Sequence, residues 1–504
     1  MRYRTKILLA FILLKFLLQI FLLSPEYELH RDEFLYLDQA NHLAWGYLSV
    51  PPLISWTSYL IHILGNSVFW IKFFPALYGA GTIYLVWKAI EALDGTVFAL
   101  ILGTVCVLLS ALLRLNTLYQ PNSMDVLCWT AVYFCLLKFL KSNDNFWLYS
   151  AAVGFAIGLL NKYNIAFLAL GLIPIIFLTR ERKVFSQARI FWAAGLSMVI
   201  TAPNIIWQVW EDFPVFHHLN QLAQTQLIHV DRWDFLKMQP IFYPGGMLVV
   251  LVALYALVRF PNFNCYRLFF WSFWFTLAIF LYFRAKDYYA IGIYPIYIAF
   301  GSAYLGHILS AGWRRYLQPA VIGIPILLFI PMFQVAFPNR SPEYITRHQN
   351  IYEKLGLLRW EDGNNHQIPQ DFADMLGWKE LASKVDSVYS IVEGYTLVLC
   401  DNYGQAGAIN FYSRQNVRAV SFEADYLNWF DLSIPYDNLI RIKSRRNAEE
   451  EFDETSPFFQ NSARAGIVTH PFAREHGTTI FLFEGARIDI RERIQVEINE
   501  KRNR

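Results

Sequence analysis

Residues 1–38 read MRYRTKILLAFILLKFLLQIFLLSPEYELHRDEFLYLD, and three features of this stretch decide the fold. It opens with the cations Arg2, Arg4 and Lys6, continues as an apolar run over 7–23, and ends in the charged cluster His30-Arg31-Asp32-Glu33. The run approaches the roughly 20 residues needed to cross a bilayer core. A secretory leader would carry a small-x-small cleavage site after such a run. None precedes Ser24-Pro25, so the expectation is an uncleaved first span followed by a polar loop.

The same pattern recurs along the chain. About eleven apolar spans are expected, near 7–23, 67–88, 96–113, 124–140, 146–160, 164–179, 188–208, 241–259, 267–283, 290–306 and 318–336. Composition agrees. Of 504 residues, 55% are hydrophobic, 17% aromatic and 16% charged, against roughly 25% charged in soluble proteins. The formal charge is only +3 and no Lys/Arg-rich run occurs, which excludes a nucleic-acid partner.

Lys and Arg collect in alternate loops: at Lys88, at Lys138 and Lys141, at Arg180, Arg182, Lys183 and Arg189, at Arg259 and Arg267, and at Arg314 and Arg315. The positive-inside rule then puts the N-terminus in the cytoplasm. An odd number of spans puts the C-terminal region outside, in the periplasm of a bacterial cell. The outward segments are 24–66, 114–123, the turn 161–164, 209–240, 284–289 and everything beyond 337. In the first, Phe34, Leu37, Leu43 and Ala44 fall near helical spacing, as in a helix lying on the bilayer, and Pro51-Pro52 ends it.

Two domains are expected: a transmembrane domain over 1–337 and a soluble α/β domain over 338–504. In the latter, apolar runs are short and charges frequent. Residues 372–392 read as an amphipathic helix and 396–400 as a buried strand. The strand runs into the turn Asn402-Tyr403-Gly404-Gln405-Ala406-Gly407, which opens another helix. Residues 465–469 and 479–483 read as strands, and 491–504 as a solvated helix or frayed tail. The turn lacks GxGxxG spacing, so no nucleotide site is read from it. Of five cysteines only Cys400 lies in this region, which precludes an internal disulfide there.

The residues suited to chemistry gather in the outward segments. Asp32 and Glu33 are either a solvated pair or a working carboxylate, base or metal ligand, with a neighbour that orients it or pairs with Arg31. Asp125, at the outward mouth of the fourth span, is either a helix N-terminal acid favoured by the macrodipole or a second acid of the same cleft. Lys162 interrupts an apolar stretch. Arg284, Lys286, Tyr288 and Tyr289 share one short loop. Snorkelling accounts for these cations; so does phosphate binding, with tyrosine stacking on a ring. His217 and His218 are weaker metal candidates beside Glu211 and Asp212. Carboxylates and phosphate-suited cations on one face point to a lipid phosphate, whose tail stays in the bilayer.

Several stretches carry a resemblance to glycosyltransferase family 39, the dolichyl-phosphate-mannose–protein mannosyltransferase-like group, which includes aminoarabinose transferases acting on lipid A. They are Asp32-Glu33 with Phe34 to Tyr47, then Pro51-Pro52-Leu53-Ile54-Ser55-Trp56; Pro121 to Trp129; Gly158 to Tyr163; Lys286-Asp287-Tyr288-Tyr289 with Tyr294-Pro295; and, near the end, Phe372 to Trp378 and Asn402 to Ile409. Members often carry Asp directly after the proline of the second loop; here it is Asn122.

The resemblance implies the membrane-embedded GT-C fold. It implies a sugar, hexosyl or pentosyl, moved with inversion from a polyprenyl-phosphate carrier to a glycan, lipid or protein acceptor at the outer face of the bacterial inner membrane. Asp32 would be the general base, and Lys162, Arg284 and Lys286 would stabilise the leaving phosphate. Tyr288 and Tyr289 would position sugar or phosphate. A divalent metal is the one cofactor it allows, since some relatives bind one and others do not; Asp32, Asp125, His217 and His218 are the residues available. The competing reading is a transporter or flippase, which favours broken spans and two-halves symmetry; no such symmetry is visible here.

Overall fold

The computed structural model describes residues 2–178, 187–225 and 231–502. By its contacts the chain forms two compact units. One comprises Met1–Leu23, Ala44–Ile54 and Asn66–Phe337; the other Ser24–Leu43, Ser55–Gly65 and Pro338–Arg504. The division therefore does not follow the linear boundary expected at 337: residues 24–43 and 55–65 group with the C-terminal region.

The first unit is helical. All eleven expected stretches contain helix, and among the described residues six helices are long and apolar enough to cross a membrane: Val68–Ala92, Pro121–Ser142, Ala188–Trp210, Pro261–Tyr282, Asp287–Ile308 and Gly312–Val335. A seventh is counted if Arg232–Phe242 and Gly246–Arg259, bent by 100°, form one span. The bend falls at Pro244-Gly245, where proline removes a backbone donor. The stretch expected at 96–113 is shorter as a helix, Val97–Leu108, because Ser110 caps a new one, its hydroxyl accepting from the Leu112 N–H. The least regular pair resolves as Asn145–Asn161 and Ala166–Leu178, with Lys162 in extended conformation at the break. The clusters at Arg180, Arg182 and Lys183 lie outside the described residues.

Asp287–Ile308 is the core of this unit, with 78% of its apolar window buried. Close packing explains it. A Cβ on Gly301 would stand 2.0 Å from the Val249 carbonyl oxygen, so only glycine lets these two helices approach. Two buried tyrosine hydroxyls find partners, as a bilayer interior favours: Tyr297 donates to the Phe269 carbonyl at 2.7 Å, and Tyr133 and Ser272 share a bond of 3.0 Å.

The second unit is α/β. Strands β1 (Thr396–Cys400), β2 (Ala419–Ser421), β3 (Asn438–Lys443), β4 (Phe459–Ile467) and β5 (Thr479–Ala486) form one sheet in the order β2-β1-β3-β5-β4. β1 runs parallel to β2 and β3, and β5 antiparallel to β3 and β4. One face carries Leu397, Leu399, Phe481 and Phe483. The stretch expected as a solvated helix or frayed tail is a helix, Ile490–Arg502, but not a wholly solvated one: Ile490, Ile494 and Ile498, spaced four apart, are buried against that face. The helix expected over 372–392 is interrupted at Gly377, which takes φ +83°, and resumes as Trp378–Tyr389.

Residues 24–43 are an integral part of this unit. Glu28 and Arg31 donate backbone N–H bonds to the carbonyls of Met375 (2.7 Å) and Asp374 (3.0 Å). The Glu28 carboxylate accepts from the N–H groups of Trp378 and Lys379, a favourable place for an acid at a helix start. Asp38 accepts from Asn410 (2.6 Å) and from the Tyr426 hydroxyl (2.8 Å), and Phe34 packs edge-on against Trp378.

Candidate functional site

Two polar clusters stand out, one in each unit. In the α/β unit, the helix Arg31–Asp38 begins with a capping box. The His30 Nδ1 accepts from the Asp32 N–H at 3.2 Å, and the Glu33 Oε2 accepts from the His30 N–H at 2.6 Å. The box separates the two adjacent acids. Glu33 is fully buried and turned back to the helix start. Asp32 keeps 34% of its side chain exposed.

Asp32 Oδ1 accepts a hydrogen bond from the Tyr403 hydroxyl at 2.7 Å. The Arg31 guanidinium stacks 4.2 Å above the Tyr403 ring. Burial alone would push the Asp32 carboxyl up, but His30, Arg31 and the Tyr403 hydroxyl outweigh it and hold Asp32 below the ordinary carboxylate range. The Tyr403 phenol is pushed well above its ordinary range by burial and by the Asp32 charge, so it keeps its proton and donates. Behind His30, Arg474 pairs with Asp374 at 3.1 Å, and the His30 Nε2 lies 3.9 Å from Asp374.

In the helical unit, Pro at the first turn starts the helix Pro121–Ser142 and Asp125 follows one turn on. Asp125 is buried. Its Oδ2 accepts from Asn164 at 2.8 Å, and its Oδ1 has no hydrogen-bond partner among the described residues. The break at Lys162 aims the ammonium at this helix start, where it donates to the Asn122 Oδ1 at 2.6 Å. The same ammonium lies 4.4 Å from the centre of the Tyr289 ring and 5.2 Å from that of Tyr288. Asp125 and, more weakly, Lys286 are close enough to act on Lys162 electrostatically. Asn164 also donates to the Tyr289 carbonyl (3.0 Å), and Asn161 to the Pro121 carbonyl (2.9 Å), so the break is pinned on both sides.

Of the residues singled out in the sequence, the structure brings together Asp125, Lys162, Lys286, Tyr288 and Tyr289. Arg284 stands exposed at a left-handed position (φ +50°) after Arg267–Tyr282, with no described contact to this cluster. His217 is exposed, 3.8 Å from Asp212; the His218 side chain lies outside the described ones. Among the described residues no group of three or more His, Cys, Asp or Glu side chains forms a cation site. Sequence reasoning missed Asn122, Asn164 and Tyr403 as members. It also missed Asn204 and Gln208, which hold the Tyr163 hydroxyl at 3.0 and 2.9 Å. The available signal was two amides one turn apart in an apolar helix.

Residues 49–207, which include Asn122, Asp125, Lys162 and Asn164, match the family model described as dolichyl-phosphate-mannose-protein mannosyltransferase. No curated protein matches the chain in sequence. Among solved structures, ArnT from Cupriavidus metallidurans bound to undecaprenyl phosphate superposes with a TM-score of 0.62 at 12% identity, covering 95% of this chain and 98% of that one. Its apo state matches with the same values. The structural match gives the fold, the GT-C fold, and the helical unit holds helices long and apolar enough for a multi-pass membrane protein. The match covers 95% of this chain, so it takes in residues of both the helical and the α/β unit.

Proposed function

We propose that this protein is a bacterial inner-membrane glycosyltransferase that moves a sugar from a polyprenyl-phosphate carrier to a glycan, lipid or protein acceptor, at the periplasmic face and with inversion. One observation carries the reading: a half-buried Lys162 ammonium, resting on two tyrosine faces and, among the described residues, hydrogen-bonded only to a neutral amide, beside the buried Asp125 in a largely apolar bundle. Such a cation keeps its charge for a ligand, and a lipid phosphate suits both the charge and the apolar surroundings. The undecaprenyl phosphate bound by ArnT supports this choice.

In the proposed reaction Asp32 takes the proton from an acceptor hydroxyl or amine. The freed electron pair attacks the anomeric carbon from the face opposite the phosphate. The bond from that carbon to the phosphate oxygen breaks, and its electrons leave on the phosphate. Lys162, helped by Lys286, stabilises that growing charge, while Tyr288 and Tyr289 position sugar or phosphate.

Purified protein in lipid nanodiscs, titrated with undecaprenyl phosphate, tests the reading. Binding that is lost in Lys162→Met supports it; equal binding by both sinks the phosphate site.

A further inference from the structure

Tyr403 is the first residue of the helix Tyr403–Tyr412 that follows β1, 371 positions along the chain from the acid it touches. The helix start is held by side-chain bonds. Asn402 Oδ1 accepts from the Gln405 N–H at 3.0 Å and its Nδ2 donates to Glu475 at 3.1 Å. Gln405 accepts from the Asp401 N–H at 2.9 Å and donates to Glu475 at 2.5 Å. At the next position, a Cβ on Gly404 would stand 2.5 Å from the Arg31 Cγ, so the absence of a side chain there lets Arg31 lie along the tyrosine. The ring is thus gripped on one face by Arg31 and at its hydroxyl by Asp32. A tyrosine packed only to fill the fold needs neither the cation nor the acid.

We propose that Tyr403 is a positioning residue for sugar transfer: its hydroxyl, clamped beneath Arg31, fixes the rotation of the Asp32 carboxylate that receives the acceptor proton. This rests on the assignment of Asp32 as base. It makes the α/β unit a contributor to the chemistry rather than an accessory. The hydrogen bond also favours the ionised carboxylate, the form a base needs.

Tyr403→Phe keeps the ring and the Arg31 contact and removes one O–H. In full-length protein in nanodiscs, infrared difference titration follows the Asp32 carboxylate, assigned by the band that Asp32→Asn removes. The midpoint in Tyr403→Phe is expected about one pH unit higher. With 3-fluorotyrosine at 403, a stronger donor of nearly the same shape, it moves the other way. With undecaprenyl-phosphate mannose as donor and envelope lipid extract as acceptor, release of undecaprenyl phosphate in Tyr403→Phe slows roughly tenfold in kcat, with donor KM unchanged. An unmoved midpoint, or a moved midpoint with wild-type turnover, overturns the proposal. The infrared result needs no substrate and decides even where mannose is not the sugar used. Full turnover by Asp32→Asn overturns the base assignment itself, whereas an inactive Asp32→Asn beside an unaltered Tyr403→Phe overturns only the role of Tyr403.

Discussion

The two polar clusters are built on opposite plans. Around Asp32, polar groups answer one another: the helix start is capped twice over, the carboxylate holds a tyrosine hydroxyl, and the tyrosine holds an arginine. Around Lys162 the supply is short. Among the described residues the ammonium has a neutral amide, two rings and the charge of nearby Asp125, and one oxygen of that buried Asp125 has no hydrogen-bond partner. A site that fixes one group before the reaction needs its bonds made in advance. A site that admits a charged ligand needs bonding capacity held back, because a fully paired cation has less to offer a phosphate. Under the proposed function, the first cluster would hold the protein group that does chemistry and the second the ligand.

The largest effect expected from breaking this contrast is at Asp32. Asp32→Asn preserves shape and removes the base, and release of undecaprenyl phosphate should fall about 10³-fold in kcat, within the range for general-base removal. Undecaprenyl phosphate binding by the same variant should stay near wild type. Lys162→Met should do the reverse: donor affinity and transition-state stabilisation fall together, with kcat/KM down about 10²-fold. If both variants lose binding alike, the two clusters do not divide the work.

A smaller effect tests why the partner of Lys162 is an amide. Asn122→Asp would give the ammonium a carboxylate at the same 2.6 Å position. The paired cation attracts phosphate less, so undecaprenyl phosphate should bind about tenfold more weakly. Tighter or equal binding would mean that the lysine charge is not what holds the ligand.

Much of this was legible in the chain, and the failures have physical reasons. Apolar length marked the helical stretches, because a bilayer demands it of every crossing segment. β1 was legible as a short apolar run ending at a turn. β2 was not: Ala419–Ser421 has three residues, too few for any period. The helix Ile490–Arg502 looked solvated because its charges outnumber its three isoleucines, though their spacing put all three on one face. Lys162 was legible as a charge interrupting apolar sequence. Its contact with Asn122, across 40 positions, was not, and neither was the bond from Tyr403 to Asp32, because pairing at such separations is decided by tertiary packing. The capping box that turns Glu33 away from Asp32 was within reach, since an acid three positions after a capping residue is its signature, but with histidine as the cap it did not stand out.

The smallest effect sharpens the comparison inside the α/β unit, where Glu28 and Asp32 lie one helical turn apart in sequence and respond oppositely. Burial pushes the Glu28 carboxyl above its ordinary range despite the N–H bonds from Trp378 and Lys379 and the Lys379 charge. Asp32 is held below its range. The signs follow by linkage. For Glu28 the folded state binds the proton more tightly than the unfolded one, so its contribution is full below the ordinary carboxylate range and is lost as pH rises through the raised folded value. For Asp32 the contribution is present above the ordinary range and is lost as pH falls through the lowered folded value. Gln and Asn do not titrate and lack both dependences. The melting temperature of wild type relative to Glu28→Gln should therefore decline as pH is raised across the carboxylate range, while that of wild type relative to Asp32→Asn should climb. Slopes of the same sign would show that Asp32 is not held ionised by its surroundings, and would remove the electrostatic reason for reading it as the prepared base.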